Sequence, residues 1–229
     1  MGRMIGMASE NENTLEQSRA TVEGGGPGEL QRWNERFSDP EYVFGIAPNA
    51  FLAAQAHLLN PRQSALAVAD GEGRNGVWLA EQGLDVTSFD FSPVGLEKAR
   101  KLASKRGVKL TTRLSDVAGW EWEPERFDVV VAIFIQFAGP KLRHAIFAGI
   151  RRTLVPGGLL LMQGYRPEQL TYGTGGPSCA ENMYTADLLR SAFIGFELLK
   201  LEEHDSLTSE GKGHHGMAAL VDLVARKPG

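Results

Sequence analysis

Residues Ser64 to Pro93 constrain this chain more than any other stretch. An apolar run, Ala65-Leu66-Ala67-Val68-Ala69, leads into Asp70-Gly71-Glu72-Gly73-Arg74-Asn75-Gly76, then a helical pattern and a second apolar run, Val86-Thr87-Ser88-Phe89-Asp90. The order is strand, glycine loop, helix, strand. Glycines at 71 and 73 let the backbone turn tightly and approach a ligand, and the helix that follows offers unpaired N–H groups at its start. Asp90 ends the second strand, where a carboxylate accepts hydrogen bonds from the vicinal hydroxyls of a ribose, with Phe91 as a flat apolar surface beside it. The Gly71-to-Gly76 segment fits GxGxxG, a pattern shared by NAD and flavin sites, so it selects a nucleotide-like ligand and leaves the cofactor open.

The remaining chain supplies a doubly wound α/β frame. Ser92 and Pro93 suit a helix start whose buried face is Leu96, Ala99, Leu102 and Ala103, closed by Gly107. Val108 to Leu114 is expected as a third strand. Phe127 to Phe134 is a nearly continuous apolar run rich in β-branched residues, as expected of a central strand covered on both faces. A helix over Lys141 to Thr153 and a fifth strand, Leu159 to Gln163, continue the alternation, which calls for a mostly parallel sheet. A glycine-rich loop is expected from Gly164 to Met183, a helix from Thr185 to Phe193, and a closing hairpin of Phe196 to His204 and Met217 to Ala225, joined by a long loop, Asp205 to Gly216.

Ahead of the frame, residues 1–28 are polar and end in Gly24-Gly25-Gly26-Pro27-Gly28, a flexible tail and hinge. Residues 29–229 are expected to form a single domain. Leu30, Trp33 and Phe37 fall at helical spacing before the aromatics Tyr42 and Phe44, so this segment is either a packed surface helix or a lid in which Trp33, Arg36, Phe37 and Tyr42 close over the cofactor. A further helix is expected from Ala50 to Leu59.

The balance of 24 basic and 28 acidic residues, net charge -4, gives no phosphate-tracking surface, so nucleic acid is not the expected partner. The single cysteine, Cys179, allows no internal disulfide, and no Cys/His spacing suggests a metal site. No stretch reaches the roughly 20 apolar residues of a membrane span, and the default expectation is a cytoplasmic protein acting on a small molecule.

Over residues 30 to 227 the chain resembles the class I S-adenosylmethionine-dependent methyltransferases. The resemblance is carried by Gly71-Glu72-Gly73-Arg74-Asn75 after strand one, Asp90 ending strand two, Asp116 after strand three, and Leu154-Val155-Pro156-Gly157-Gly158 before strand five. Within that class, Trp33-Asn34-Glu35-Arg36-Phe37 and Tyr42 through Asn49 look like the tellurite-resistance methyltransferases and their thiol-methylating relatives. The resemblance implies a Rossmann-like, seven-stranded sheet of order 3-2-1-4-5-7-6 with the last strand antiparallel, and S-adenosyl-L-methionine as cofactor. It implies cofactor contacts from Trp33, Arg36, Asp70, Gly71, Gly73, Asn75, Asp90, Phe91, Asp116 and Val117. Two departures stand out: Ala67 replaces the strand-one acid that helps order the methionine ammonium group, with Asp70 the nearest substitute, and Ala69 replaces a glycine.

The expected reaction is methyl transfer to a small nucleophile, a thiol or chalcogen oxyanion. In-line displacement asks mainly for positioning and exclusion of water, so no dedicated acid/base pair is required. The acceptor-pocket candidates are Gln136, Tyr165, Arg166, His214 and His215, on loops at the ligand edge. The alternatives are an NAD-dependent short-chain oxidoreductase, against which no Tyr-x-x-x-Lys pair is present, and a noncatalytic cofactor-binding regulatory module, for which Ala67 and Ala69 argue.

Overall fold

A computed structural model describes residues 27–229, so the tail expected over 1–28 lies almost wholly outside the described residues. Seven strands form one sheet: β1 (Ser64–Val68), β2 (Asp85–Asp90), β3 (Thr111–Leu114), β4 (Phe127–Ile133), β5 (Leu154–Tyr165), β6 (Glu197–Glu210) and β7 (His214–Arg226). Their order is 3-2-1-4-5-7-6, with β7 antiparallel to both β5 and β6 and the other pairs parallel. The helices are α1 (Pro27–Phe37), α2 (Ala50–Ala54), α3 (Arg74–Glu81), α4 (Pro93–Arg106), α5 (Pro140–Thr153), α6 (Gln169–Tyr172) and α7 (Ala186–Ala192).

The sheet is buried on both faces, and β4 shows why its sequence is apolar throughout. Val130 and Ala132 pack with Ile146, Phe147 and Ile150 of α5 in one core, whereas Val129, Val131 and Ile133 pack with Phe51, Leu52 and Leu79 in the other. Alternate side chains of a strand point to opposite faces, so a strand with helices on both sides needs apolar residues at every position. The two cores hold the parallel strands in register and set their C-terminal ends along one edge.

The sequence and the structure differ at several boundaries. The helix expected over Ala50 to Leu59 divides into α2 and a short 3-10 turn, Ala56–Leu58, and Leu59 is extended ahead of Asn60-Pro61. The third strand is shorter than expected, and the loop from Gly164 to Met183 contains α6 and a second 3-10 turn, Ala180–Asn182. The hairpin is much longer: Glu210 pairs with His214 across a tight turn, where the sequence suggested a long loop. That extension carries β6 and β7 beyond the sheet's ligand edge.

The chain leaves β1 through Ala69 at φ +48°, the position where the resembling family has glycine. The left-handed conformation costs a residue with a Cβ roughly 1–2 kcal/mol, partly offset by alanine's smaller loss of chain entropy on folding. Ala69→Gly is therefore expected to raise the unfolding free energy by up to about 1 kcal/mol, read as a higher urea midpoint at unchanged slope. A fall in the midpoint would show that no strain resides at this turn.

Candidate functional site

The glycine loop lies between β1 and α3 and is fixed from two sides. Gly71 and Gly73 adopt φ +56° and +86°, and a Cβ on Gly73 would stand 2.5 Å from the Cβ of Ala99, so glycine lets α3 approach α4. Asp90, 4% exposed, receives the N–H of Gly71 at 2.9 Å on one carboxylate oxygen and the N–H of Ser92 at 2.8 Å on the other. Burial raises its pKa to about 6 against the lowering effect of those N–H groups. The carboxylate thus ties the loop to the start of α4 and keeps accepting capacity on both oxygens. Asp70 turns into the protein, where it accepts from the Gly76 N–H at 3.0 Å and Ser88 Oγ at 3.2 Å, and burial raises its pKa to about 7.

The segment from Pro27 to Asn49 covers this loop. Phe37, 3% exposed, places its ring over Gly71 and Gly95, where a Cβ on either glycine would meet it at 3.1 Å, and Asn34 Oδ1 accepts from Ser92 Oγ at 2.6 Å. Glu72 reaches back from the loop, accepting the Val43 N–H at 2.8 Å and pairing with Lys98 Nζ at 2.5 Å. Lys98 also donates to the carbonyls of Phe37, Asp39 and Glu41. One buried ion pair therefore straps this segment to α4. Arg36 stacks 5.0 Å from the ring centres of both Trp33 and Phe44, while Tyr42 packs against Val77, Leu102 and Ala103 and donates to the Lys98 carbonyl.

The hairpin closes the other side. Its tip joins the covering segment through the Gly213 N–H to the Val43 carbonyl at 2.9 Å. Glu210 pairs with Arg74 at 2.7 Å, accepts the Ala50 N–H at 2.9 Å and Asn49 Nδ2 at 3.1 Å, and lies 3.8 Å from His214 Nδ1. Burial alone would raise Glu210, but His214, Arg74 and the Ala50 N–H outweigh it and bring its pKa down to about 2. Asn49 continues the polar chain to Gln163 at 2.7 Å, and Gln163 to Asp222 at 2.7 Å. The His214 ring sits 4.6 Å from Phe44 and 4.4 Å from Phe134, with Tyr165 stacked on Phe134 at 4.7 Å. Phe134 holds φ +55°, an uncommon conformation for a bulky residue, at the point where β4 leaves the sheet.

The structure therefore brings Trp33, Arg36, Gly71, Gly73, Asn75, Asp90, Tyr165 and His214 to one edge of the sheet. Asn75 Oδ1 accepts the Asn49 N–H at 2.9 Å. Asp116 is exposed and accepts the Gly119 N–H, Val117 is buried beside Phe89, and Phe91 is half-buried. Three acceptor-pocket candidates are turned to other tasks. Gln136 forms both hydrogen bonds of its amide with the backbone of Tyr165, at 2.7 and 2.5 Å. Arg166 pairs with Asp205 at 2.5 Å and Glu168 at 3.4 Å, and His215 is exposed on the face of the hairpin opposite His214. Sequence reasoning missed Glu72, Lys98, Asn49, Glu210, Phe134 and Phe44. Of these, Glu72 lies inside the glycine motif and Phe44 and Asn49 inside the Tyr42-to-Asn49 stretch, whereas nothing local marked Lys98, Glu210 or Phe134 as site residues.

Comparison with known proteins bears on the domain and the fold. Residues 65–158 match the family described as "Methyltransferase domain". A polyketide synthase-nonribosomal peptide synthetase of Aspergillus clavatus is 27% identical over 135 residues, 54% of this chain, and the chain spans 3% of that protein's length. TehB from Haemophilus influenzae shares the fold with a TM-score of 0.65 at 20% identity, over 85% of this chain and 67% of that one. The N-methyltransferase NodS from Bradyrhizobium japonicum, in complex with S-adenosyl-L-homocysteine, gives 0.67 at 13% identity, over 87% of this chain and 98% of that one.

Proposed function

We propose that this chain, whose residues 65–158 match the methyltransferase domain family, is a class I S-adenosylmethionine-dependent methyltransferase that moves a methyl group to a small molecule held between β4, β5 and the hairpin. The observation that carries the reading is the buried carboxylate of Asp90, fixed against the glycine loop at the end of β2, while the end of β4 carries the ring cluster of Phe134, Tyr165, Phe44 and His214. The bound cofactor supplies an activated sulfonium methyl group.

The residues present fit that cofactor. Asp90 has accepting capacity for two ribose hydroxyls, Asp116 for an amino group, and Phe91 and Val117 offer apolar surface to a base. Arg74 Nη1 is buried without a hydrogen-bond partner at the start of α3, which suits the carboxylate of an amino-acid moiety. Asp70 is engaged beneath the loop, so ordering of the ammonium group falls to backbone carbonyls in this reading. The strapped segment from Pro27 to Asn49 acts as the lid that excludes water from the transfer.

The acceptor is a thiol or a chalcogen oxyanion, a reading supported by the likeness to TehB in fold and by the motifs Trp33 to Phe37 and Tyr42 to Asn49. The reading places the protein in the cytoplasm, acting on a small molecule and on neither nucleic acid nor membrane; no described helix is long and apolar enough to cross one. Incubation of the purified protein with methyl-labelled cofactor and a panel of thiols, selenite, tellurite, amines and phenols is expected to label the thiols or the oxyanions. Cofactor binding by calorimetry with no turnover on the panel would instead favour the noncatalytic module, for which Ala67 remains the best argument.

A further inference from the structure

We propose that His214 is the general base of the transfer, held by Glu210, and that the acceptor is a neutral thiol whose S–H proton passes to His214 Nε2. The inference rests on the methyltransferase reading above and narrows its acceptor. His214 is 8% exposed and opens β7 beside Phe134, the residue at which β4 ends on the ligand edge. Its Nδ1 is enclosed, without a hydrogen-bond partner, and 3.8 Å from Glu210 Oε2. Glu210 is itself immobilised by Arg74, Asn49 and Ala50. A carboxylate on the Nδ1 side favours the tautomer that carries its proton there, which leaves the Nε2 lone pair free for an acceptor.

The charged groups around the ring come from four elements. Glu210 on β6 favours the imidazolium; Arg74 on α3 and Arg36 on α1 oppose it, and Tyr165 on β5 stays protonated. Burial and the two arginines hold His214 below its ordinary value, so the ring is neutral near pH 7 and competent to accept a proton. The bond changes balance. Nε2 takes the thiol proton, the sulfur lone pair forms the new S–CH3 bond, and the electron pair of the broken sulfonium S–CH3 bond stays on the cofactor sulfur, leaving a neutral thioether. The imidazolium, facing Glu210, then loses its proton to water. An oxyanion needs no such base, so a built base argues for the protic acceptor.

The test compares wild type with His214→Gln across thiols of graded acidity, after binding of S-adenosylhomocysteine has been measured for both by calorimetry. For alkyl thiols, neutral at the assay pH, the variant is expected to lose about 10²–10⁴-fold in kcat/KM, the range a positioned base supplies. For an aromatic thiol already ionised at that pH the loss is expected to stay below about tenfold, with cofactor affinity retained. Nitrogen NMR of wild-type His214 gives a second readout, since its titration should coincide with the acid limb of the pH–rate profile. An equal loss on all thiols with the cofactor bound, or a histidine titration unrelated to the profile, would overturn the base assignment. Failure of wild type to bind S-adenosylhomocysteine would overturn the methyltransferase reading and this inference together.

Discussion

Replacing Glu210 by alanine is expected to lower the unfolding free energy by about 3–5 kcal/mol, the cost of leaving a buried charge without its partner. The side chains of Arg74 and Glu210 are only 7% and 12% exposed, so water does not take over the role of the lost carboxylate. The same change frees the Ala50 N–H and one donor of Asn49, each a further loss where they stay enclosed. The pH dependence has a definite sign. Glu210 moves from 4.5 to about 2 on folding, so its contribution is fully present above about 4.5 and is lost as pH falls toward 2. Asp70 and Asp90, raised from 3.8 to about 7 and about 6, act in the opposite sense: their share of stability is present at low pH and is lost as pH rises through those values. Denaturant unfolding of wild type and Glu210→Ala at several pH values isolates the first effect, because the difference between them should shrink below pH 4.5. A double change, Arg74→Met with Glu210→Met, is expected to recover most of the loss by removing both charges at once. A loss under about 1 kcal/mol for the single change would mean that solvent reaches this pair.

How far these features could be read from the chain depends on whether neighbours in space are neighbours in sequence. The mostly parallel α/β frame followed from apolar runs alternating with helical periods, because burial on both faces leaves a signal in every strand residue, as in Val129 to Ile133, whereas the strand order was implied by the family resemblance. The extension of the hairpin was hidden for the opposite reason. Beyond the sheet, Asp205 to Glu210 face solvent or polar partners on both sides, so alternation marks no apolar face and the segment reads as a loop. Arg74 and Glu210 lie 136 residues apart, and nothing local to either announces the pairing. Arg166 and Gln136 were candidates because they leave strand ends on the ligand edge. Position at an edge does not fix where a side chain turns, and here Asp205 and the Tyr165 backbone hold them. The expectation that no acid/base pair was needed came from the chemistry of in-line transfer, and the base proposed for His214 departs from it because the hairpin turn brings Glu210 and His214 together.

Asp90→Ala is expected to weaken S-adenosylhomocysteine binding by about 1.5–3 kcal/mol per charge-assisted hydrogen bond lost, roughly 10- to 150-fold for one. The difficulty is that Asp90 also anchors the Gly71 and Ser92 N–H groups, so a simple loss of affinity does not separate contact with the ligand from collapse of the loop. Comparing adenosine with 2′,3′-dideoxyadenosine resolves this. If the carboxylate holds the diol, wild type prefers adenosine and the variant does not, and the coupling between protein and ligand changes remains after any uniform damage is subtracted. A pH series gives a second signature. In the free protein Asp90 sits at about 6, and ribose hydroxyls donate to the ionised form, so binding must lower that value. Affinity should accordingly be flat above about pH 7, decline as pH falls below 6, and be accompanied by proton release when binding is measured near pH 6 in buffers of different ionisation heat. Asp90→Asn, which cannot ionise, should bind more weakly with no decline in that window. If the variants discriminate the two nucleosides as well as wild type does, Asp90 is an anchor of the glycine loop alone, and the ribose rests elsewhere on this edge.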